Sequence, residues 1–299
     1  MKQLVILSGK GGTGKTSVAA AFAHLASVNG LNGKVVLADA DVDAANFELV
    51  LEPQILESHE FMGGKVAVID QHQCNNCGFC MSFCRFDAIH AEEGGYVIDP
   101  IACEGCGACM HQCLGDAIRM EEQNAGQWFR SDSRFGPLFH AALRPAQENS
   151  GKLVTMVRQQ ARLLAMDEAY HLVLIDGPPG IGCPVISAVS GADMAMIVAE
   201  PTAAGVHDMQ RVLETTDHFG VQAIVCINKA DIYPEGAAQI RTFCEENGIE
   251  VIGEVPYDPV VTEAMLQGQS VTAYRLGSPA SQALSKIWDK VIALLEEED

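Results

Sequence analysis

Eight of the eleven cysteines in this chain fall in two runs that share one spacing, and that spacing limits what the middle of the chain can become. Cys74, Cys77, Cys80 and Cys84 follow C-x2-C-x2-C-x3-C, and Cys103, Cys106, Cys109 and Cys113 repeat it 29 residues later. The offset matches more than thiols: Gly78 falls on Gly107, Met81 on Met110, and Asp87-Ala88-Ile89 on Asp116-Ala117-Ile118. An internal duplication is the simplest account. Between about Lys65 and Met120 cysteine and glycine concentrate and helical periodicity fades, which marks an inserted module.

The flanking sequence has a different character. Runs rich in Val, Ile and Leu recur at Gln3 to Ser8, Lys34 to Asp39, His171 to Asp176, Met194 to Ala199, Gln222 to Ile227 and Ile249 to Gly253. Helical patterns lie between most of them, at Lys15 to Val28, Leu153 to Met166, His207 to Phe219, Gly236 to Asn247 and Gln282 to Leu295. Short buried strands alternating with helices predict an α/β fold with a mostly parallel, doubly wound sheet covered on both faces. Ligands of such sheets sit at the carboxyl ends of the strands. The expected organisation is a first α/β part over 1–64, the insert over 65–124 and a second α/β part over 125–299. Gly126 to Leu143, with Trp128, Phe129, Phe135 and Phe139, is expected to return the chain and dock the insert on the main domain.

Gly9-Lys10-Gly11-Gly12-Thr13-Gly14-Lys15-Thr16 follows the first apolar run and precedes the first helical pattern, and it matches G-x-x-x-x-G-K-[ST]. A glycine-rich turn between a strand and a helix aims backbone N–H groups, those of Gly11, Gly12, Thr13 and Gly14 among them, at phosphate oxygens. Lys15 would reach the β- and γ-phosphates and Thr16 would hold Mg2+. A P-loop nucleoside-triphosphatase is the fold class this predicts.

Lys10 sharpens the reading. The run Lys10 to Thr16 resembles the deviant Walker A motif of the MinD/ParA-like ATPases, a superfamily that includes the nitrogenase iron protein. In that family the extra lysine reaches the partner's nucleotide, so the resemblance implies an ATP-sandwich homodimer, or a heterodimer with a paralogue. Asp39-Ala40-Asp41, followed by Asn46, resembles the family's D-x-D-x-x-x-x-N segment, which implies Mg2+ support by Asp39 and positioning of the attacking water by Asp41. Asp176-Gly177-Pro178-Pro179-Gly180 resembles the Walker B and switch II element; Asp176 would bind Mg2+ through water, and Gly177 and Gly180 would let the loop move. Asn228-Lys229-Ala230-Asp231 stands where the family contacts the base, although its N-K-x-D form also resembles the guanine-reading motif of GTPases. The resemblance thus implies catalytic roles for Lys10, Lys15 and Asp41, with ATP and Mg2+ bound.

The cysteine runs resemble those of bacterial two-cluster ferredoxins, in which the fourth cysteine of each run serves the other cluster. The implied ligand sets for two 4Fe-4S clusters are Cys74, Cys77, Cys80 and Cys113 for one, and Cys84, Cys103, Cys106 and Cys109 for the second. Arg85 and Leu114 stand where those ferredoxins have proline. Zinc is the alternative, since thiolate tetrads bind it, but zinc sites usually pair two C-x2-C knuckles. Of the remaining cysteines, Cys226 and Cys244 lie in strand and helix patterns and are expected to be packing residues. Cys183 follows switch II by the interval that leads to a cluster ligand in the nitrogenase iron protein, yet no second cysteine completes such a site; a structural or interface role is expected. A C-P-x-C pair of the Mrp/Nbp35-type carriers is absent from the sequence.

Composition narrows the partners. The formal charge is -20, and two oxidised clusters would bring it to about -24. Nucleic acid and anionic lipid are disfavoured partners, and no Lys/Arg block offsets this. The N-terminal apolar run is too short for a signal peptide and no apolar stretch approaches a bilayer span, so a reducing, cytoplasmic setting is expected. The stripe Leu284, Ile287, Trp288, Val291, Ile292 and Leu295 is expected to pack on the domain, because the acidic tail Glu296 to Asp299 would repel lipid. Three functions compete: an ATP-coupled redox protein acting on a redox partner, a cluster assembly or insertion ATPase acting on a cofactor acceptor, and a positioning ATPase.

Overall fold

A computed structural model describes residues 1–28, 34–144 and 150–297. In chain order, β1 (Lys2–Ser8) leads to α1 (Lys15–Val28), and β2 (Val35–Asp39) to the single turn α2 (Glu48–Leu51) and the long strand β3 (Gln54–Ile69). There follow α3 (Phe79–Phe83), β4 (Ile89–Glu92), β5 (Gly95–Ile98), α4 (Ala108–His111), a second long strand β6 (Ile118–Ser133) and β7 (Gly136–Leu143). The remainder alternates: α5 (Ser150–Asp167), β8 (Leu172–Pro179), α6 (Cys183–Val189), β9 (Met194–Ala199), α7 (Ala203–His218), β10 (Gln222–Asn228), α8 (Pro234–Glu246), β11 (Glu250–Val255), α9 (Pro259–Leu266), α10 (Val271–Tyr274) and α11 (Pro279–Glu297).

Two compact units emerge. The first comprises Met1–His59, Trp128–Ala142 and Ser150–Asp299, and the second Glu60–Gln127 with Leu143 and Arg144. The sheet runs β11-β10-β9-β1-β8-β2-β7-β6-β3. β1 pairs in parallel with β8 and β9, β10 with β9 and β11, and β2 with β8 and β7. Leu4, Val5, Ile6 and Leu7 are fully buried, as are Val35 to Leu37; a strand covered on both faces needs an unbroken apolar run, and these supply one. Ala19, Ala20, Ala21, Ala23 and Ala26 let α1 pack closely, and Phe22 meets Trp288 of α11 at a ring separation of 5.0 Å. The predicted C-terminal stripe packs on this core, with Trp288 2% exposed. Glu298 and Asp299 of the acidic tail lie outside the described residues.

Three strands of the sheet escaped the sequence reading. β3, β6 and β7 carry glycines or charges where a buried strand would be apolar, and Gln54 to Glu60 of β3 is exposed throughout. The return segment is the end of β6 with β7, joined through Arg134-Phe135, and Trp128–Ala142 belongs to the first unit. α7 starts four residues before the predicted His207 because Thr202 caps it, its Oγ1 accepting the Gly205 N–H at 3.0 Å. α9 was also unread; Asp258 caps it by accepting the Val260 N–H at 3.0 Å.

Candidate functional site

The parallel register builds the nucleotide site before any side chain is considered. Asp39 ends β2 directly beside Asp176 of β8, and Asp176 in turn faces Ile6 of β1. The loop from Gly9 to Gly14 leaves the carboxyl end of β1, and α1 begins at Lys15. Gly12 (φ 80°) and Gly14 (φ 93°) take the left-handed backbone that bends this loop. A Cβ at Gly14 would overlap the Asn228 amide. Thr16 is half-buried in the first turn of α1.

Lys15 Nζ donates to Asp176 Oδ1 at 2.7 Å and to Asp41 Oδ2 at 3.5 Å. Asp39 accepts the Asp41 N–H at 3.1 Å and the Phe47 N–H at 3.2 Å, which ties the chain after β2 to this buried carboxylate. Burial and the neighbouring Asp176 push the Asp39 carboxyl well above the usual carboxylate range. Burial also raises Asp41, although Lys15 opposes it. Burial would lower the Lys15 ammonium, but Asp176, Asp41 and Asp39 together outweigh it and raise it. Three carboxylates thus share one lysine in a largely dry corner. Asp176 Oδ2 and Thr13 Oγ1 are buried and lack any hydrogen-bond partner. A surplus of negative charge with an orphaned oxygen is what a divalent cation satisfies, so the donor set suits Mg2+ beside a phosphate cradle.

Lys10 and Lys229 meet on a residue that the sequence reading missed. Lys10 Nζ lies 3.0 Å from Glu200 Oε2, and Lys229 Nζ lies 2.9 Å from Glu200 Oε1 and 3.3 Å from the Gly12 carbonyl. Burial works against the Glu200 carboxylate, yet hydrogen bonds from Lys229 and Lys10 hold it below the usual range. Asn228 Nδ2 donates to the Thr13 carbonyl at 2.7 Å, so this side chain buttresses the phosphate loop. Asp231 Oδ1 accepts the Tyr257 N–H at 2.6 Å and fixes the turn after β11. Asn46 is exposed, and its Nδ2 donates to the Ala44 carbonyl at 2.8 Å. Gly180 N–H donates to the Ser8 carbonyl at 2.8 Å, and a Cβ at Gly177 would run into Leu7 and the Ile6 carbonyl.

In the second unit the eight repeated cysteines sort into two cavities. Cys74, Cys77, Cys80 and Cys113 line one, with Phe79 and Tyr96. Cys84, Cys103, Cys106 and Cys109 line the other, with Phe86 and Ile98. Among the described residues no three of these thiols crowd together as the ligands of a single ion do. Burial and the neighbouring Cys74, Cys77 and Cys113 raise the Cys80 thiol, and burial with Cys103 and Cys106 raises Cys109. The duplication is visible atom by atom: Ala88 N–H reaches Cys84 Sγ at 3.4 Å and Ala117 N–H reaches Cys113 Sγ at 3.3 Å. Asp87 (φ 49°) and Asp116 (φ 47°) take the same left-handed turn. Four thiols that face one cavity without closing on a single ion suit a multinuclear sulfide cluster.

Cys226 and Cys244 are buried in the first unit, their thiols pushed up by burial to about 12 and about 11. Cys183 is exposed at the start of α6.

A family model described as the CobQ/CobB/MinD/ParA nucleotide binding domain matches residues 4–271. The chain belongs to this family. An uncharacterised protein of Methanocaldococcus jannaschii is 37% identical over 227 residues, which are 76% of this chain and 78% of that protein. An iron-sulfur cluster carrier protein of Pyrococcus furiosus is 27% identical over 161 residues, 49% of this chain and 54% of the carrier. Among solved structures, the septum site-determining protein MinD of Pyrococcus horikoshii, complexed with Mg-ADP, shares the fold with a TM-score of 0.58 at 19% identity, over 100% of this chain and 98% of that one. The CobQ/CobB/MinD/ParA assignment accounts for the P-loop, the mostly parallel sheet and nucleotide binding. No described helix is long and apolar enough to cross a membrane.

Proposed function

We propose that the chain is a dimeric, Mg2+-dependent ATPase whose nucleotide state controls electron transfer or partner docking by two 4Fe-4S clusters. The observation that carries this reading is the sorting of eight cysteines into two four-thiol cavities, in the crossed pattern of three from one run and the fourth from the other, in a chain whose other unit is a nucleotide-binding domain. Bound clusters would supply one-electron carriers.

On this reading the Gly11 to Gly14 amides and Lys15 hold the phosphates, and Lys15 exchanges its Asp176 and Asp41 partners for them. Asp41, at the edge of the buried carboxylates, orients the attacking water. Thr16, Asp39 and Asp176 would hold Mg2+. Lys10, about a third exposed, leaves Glu200 to reach the nucleotide of the second subunit. Gly177 and Gly180 let the loop after β8 relax once the γ-phosphate has gone.

A cluster assembly or insertion ATPase is the second reading, favoured by the partial match to an iron-sulfur cluster carrier. Anaerobic EPR of the dithionite-reduced protein, with and without Mg-ATP, tests the first. Cluster signals whose shape or potential responds to nucleotide are expected. A nucleotide-blind spectrum would remove the coupling, and iron released to an apo-acceptor on ATP addition would favour the second reading. Lys10→Ala should abolish hydrolysis and nucleotide-dependent dimerisation while both clusters stay bound; unchanged turnover would sink the sandwich dimer.

A further inference from the structure

The duplication allows the two halves of the cysteine-rich unit to be compared position by position, and they differ on the outside. Phe79, Phe83 and Phe86 of the first half stand where the second has Ala108, Gln112 and Gly115. Phe79 and Phe83 are 47% and 45% exposed, whereas Phe86, also exposed, borders the second cavity. Phe79 and Phe83 lie four residues apart on α3 with their rings stacked at 6.3 Å. Phe79 lines the first cavity beside the exposed Cys77, and Leu114, 79% exposed, stands between Cys113 and Gly115 of the same lining.

The fold does not need these phenyls. The second half forms the same left-handed glycine before its helix (φ 72° at Gly107, 77° at Gly78) and the same N–H to Sγ bond without them. Apolar groups kept in water at one copy of a duplicated motif point to a surface that is covered when in use. Charge identifies what covers it. Glu60–Gln127 carries ten acidic side chains against three basic ones, a net of -7, and bound clusters would deepen this to about -11.

We infer that the Phe79-Phe83 face with Leu114 is the docking site for a one-electron redox protein that has an apolar centre within a basic rim, so that electrons leave or enter through the first cavity rather than the second. In the transfer, one reduced cluster loses one electron and the partner's centre gains it; no bond is made or broken. The inference rests on the cluster reading above.

The test uses the full chain, loaded anaerobically, with cytochrome c as the probe, a haem protein whose lysine ring surrounds an apolar haem edge. Phe83→Ser/Leu114→Ser changes two residues outside the cavity linings. It should weaken calorimetric binding of cytochrome c about tenfold and slow its reduction alike. Iron and sulfide content, the EPR spectrum and the rate with ferricyanide should not change. Gln112→Ser, at the counterpart of Phe83, should bind as the parent does, and raising salt should weaken the parent's binding. Parent-like binding by the double variant overturns the inference, as does an equal loss of rate with ferricyanide. A dimer of the parent that the double variant loses, with cytochrome c binding unchanged, would assign the face to a second copy instead. Absence of sulfide and of visible absorbance would fail the cluster reading itself, whatever cytochrome c binding shows.

Discussion

At the scale of single residues, the nucleotide site is built against stability. Asp176 is 1% exposed, one of its oxygens holds Lys15 and the other holds nothing. Three carboxylates around one lysine repel each other until a cation arrives. Asp176→Asn should therefore stabilise the nucleotide-free protein by about 1 kcal/mol in urea titrations and remove the added protection that Mg-ATP confers. A destabilised variant that still responds to Mg2+ would contradict this account. Glu200 acts on Lys10 in the opposite sense, by holding it within its own chain. Glu200→Gln keeps the shape and drops the charge, so nucleotide-driven dimerisation followed by stopped-flow light scattering should quicken several-fold; a slower association would mean that Glu200 is needed in the closed state.

Elements transmit what these residues do. α2 is one turn long, yet it is tied at both ends: Phe47 N–H reaches Asp39, Glu48 lies 3.4 Å from His140 Nδ1, and the Arg134 N–H donates to the Leu51 carbonyl. His140 Nε2 meets the Ser131 hydroxyl at 2.9 Å, so the same imidazole joins α2, β6 and β7. Burial pushes this imidazole down to about 4. The unfolded chain, with a histidine near 6.5, takes up the proton first as pH falls, so stability is complete above that value and drains between about 6.5 and 4. The loss should approach about 2 kcal/mol at pH 4.5, with half-exposed Glu48 offsetting a part. Denaturation midpoints at pH 7 and 4.5 measure it, and His140→Gln should flatten the difference.

For the whole molecule, the two units rest on different physics. The first buries a continuous apolar core from Leu4 to Leu295. The second has six buried residues in its cluster, and two of them, Cys80 and Cys109, are thiols that ring the cavities. So small a core would gain stability from the clusters proposed for these cysteines. Cys77→Ser should then lose about half of the iron and lower the first calorimetric transition, while nucleotide affinity and the second transition stay unchanged. Full retention of iron would refute the ligand set.

Much of this was legible in the chain. β1, β2, β8 and β9 are nearly unbroken apolar runs because both their faces are covered, and the P-loop, Asp39 and Asp176 follow from their ends. The cysteine spacing likewise announced a duplicated thiol module, since the same short-range spacing recurs 29 residues on. Glu200 was not legible: its lysines, Lys10 and Lys229, are far away along the chain, and a lone glutamate before a proline carries no pattern. Nor did N-K-x-D reveal that Asn228 bonds the Thr13 carbonyl and Asp231 the Tyr257 amide, because hydrogen bonds formed across a sheet depend on which strands become neighbours. Local spacing thus determined which chemical groups the protein owns. Only the order and register of the strands decided that three carboxylates and one lysine would share a single buried corner, since a charge feels the distance through space and not the distance along the chain.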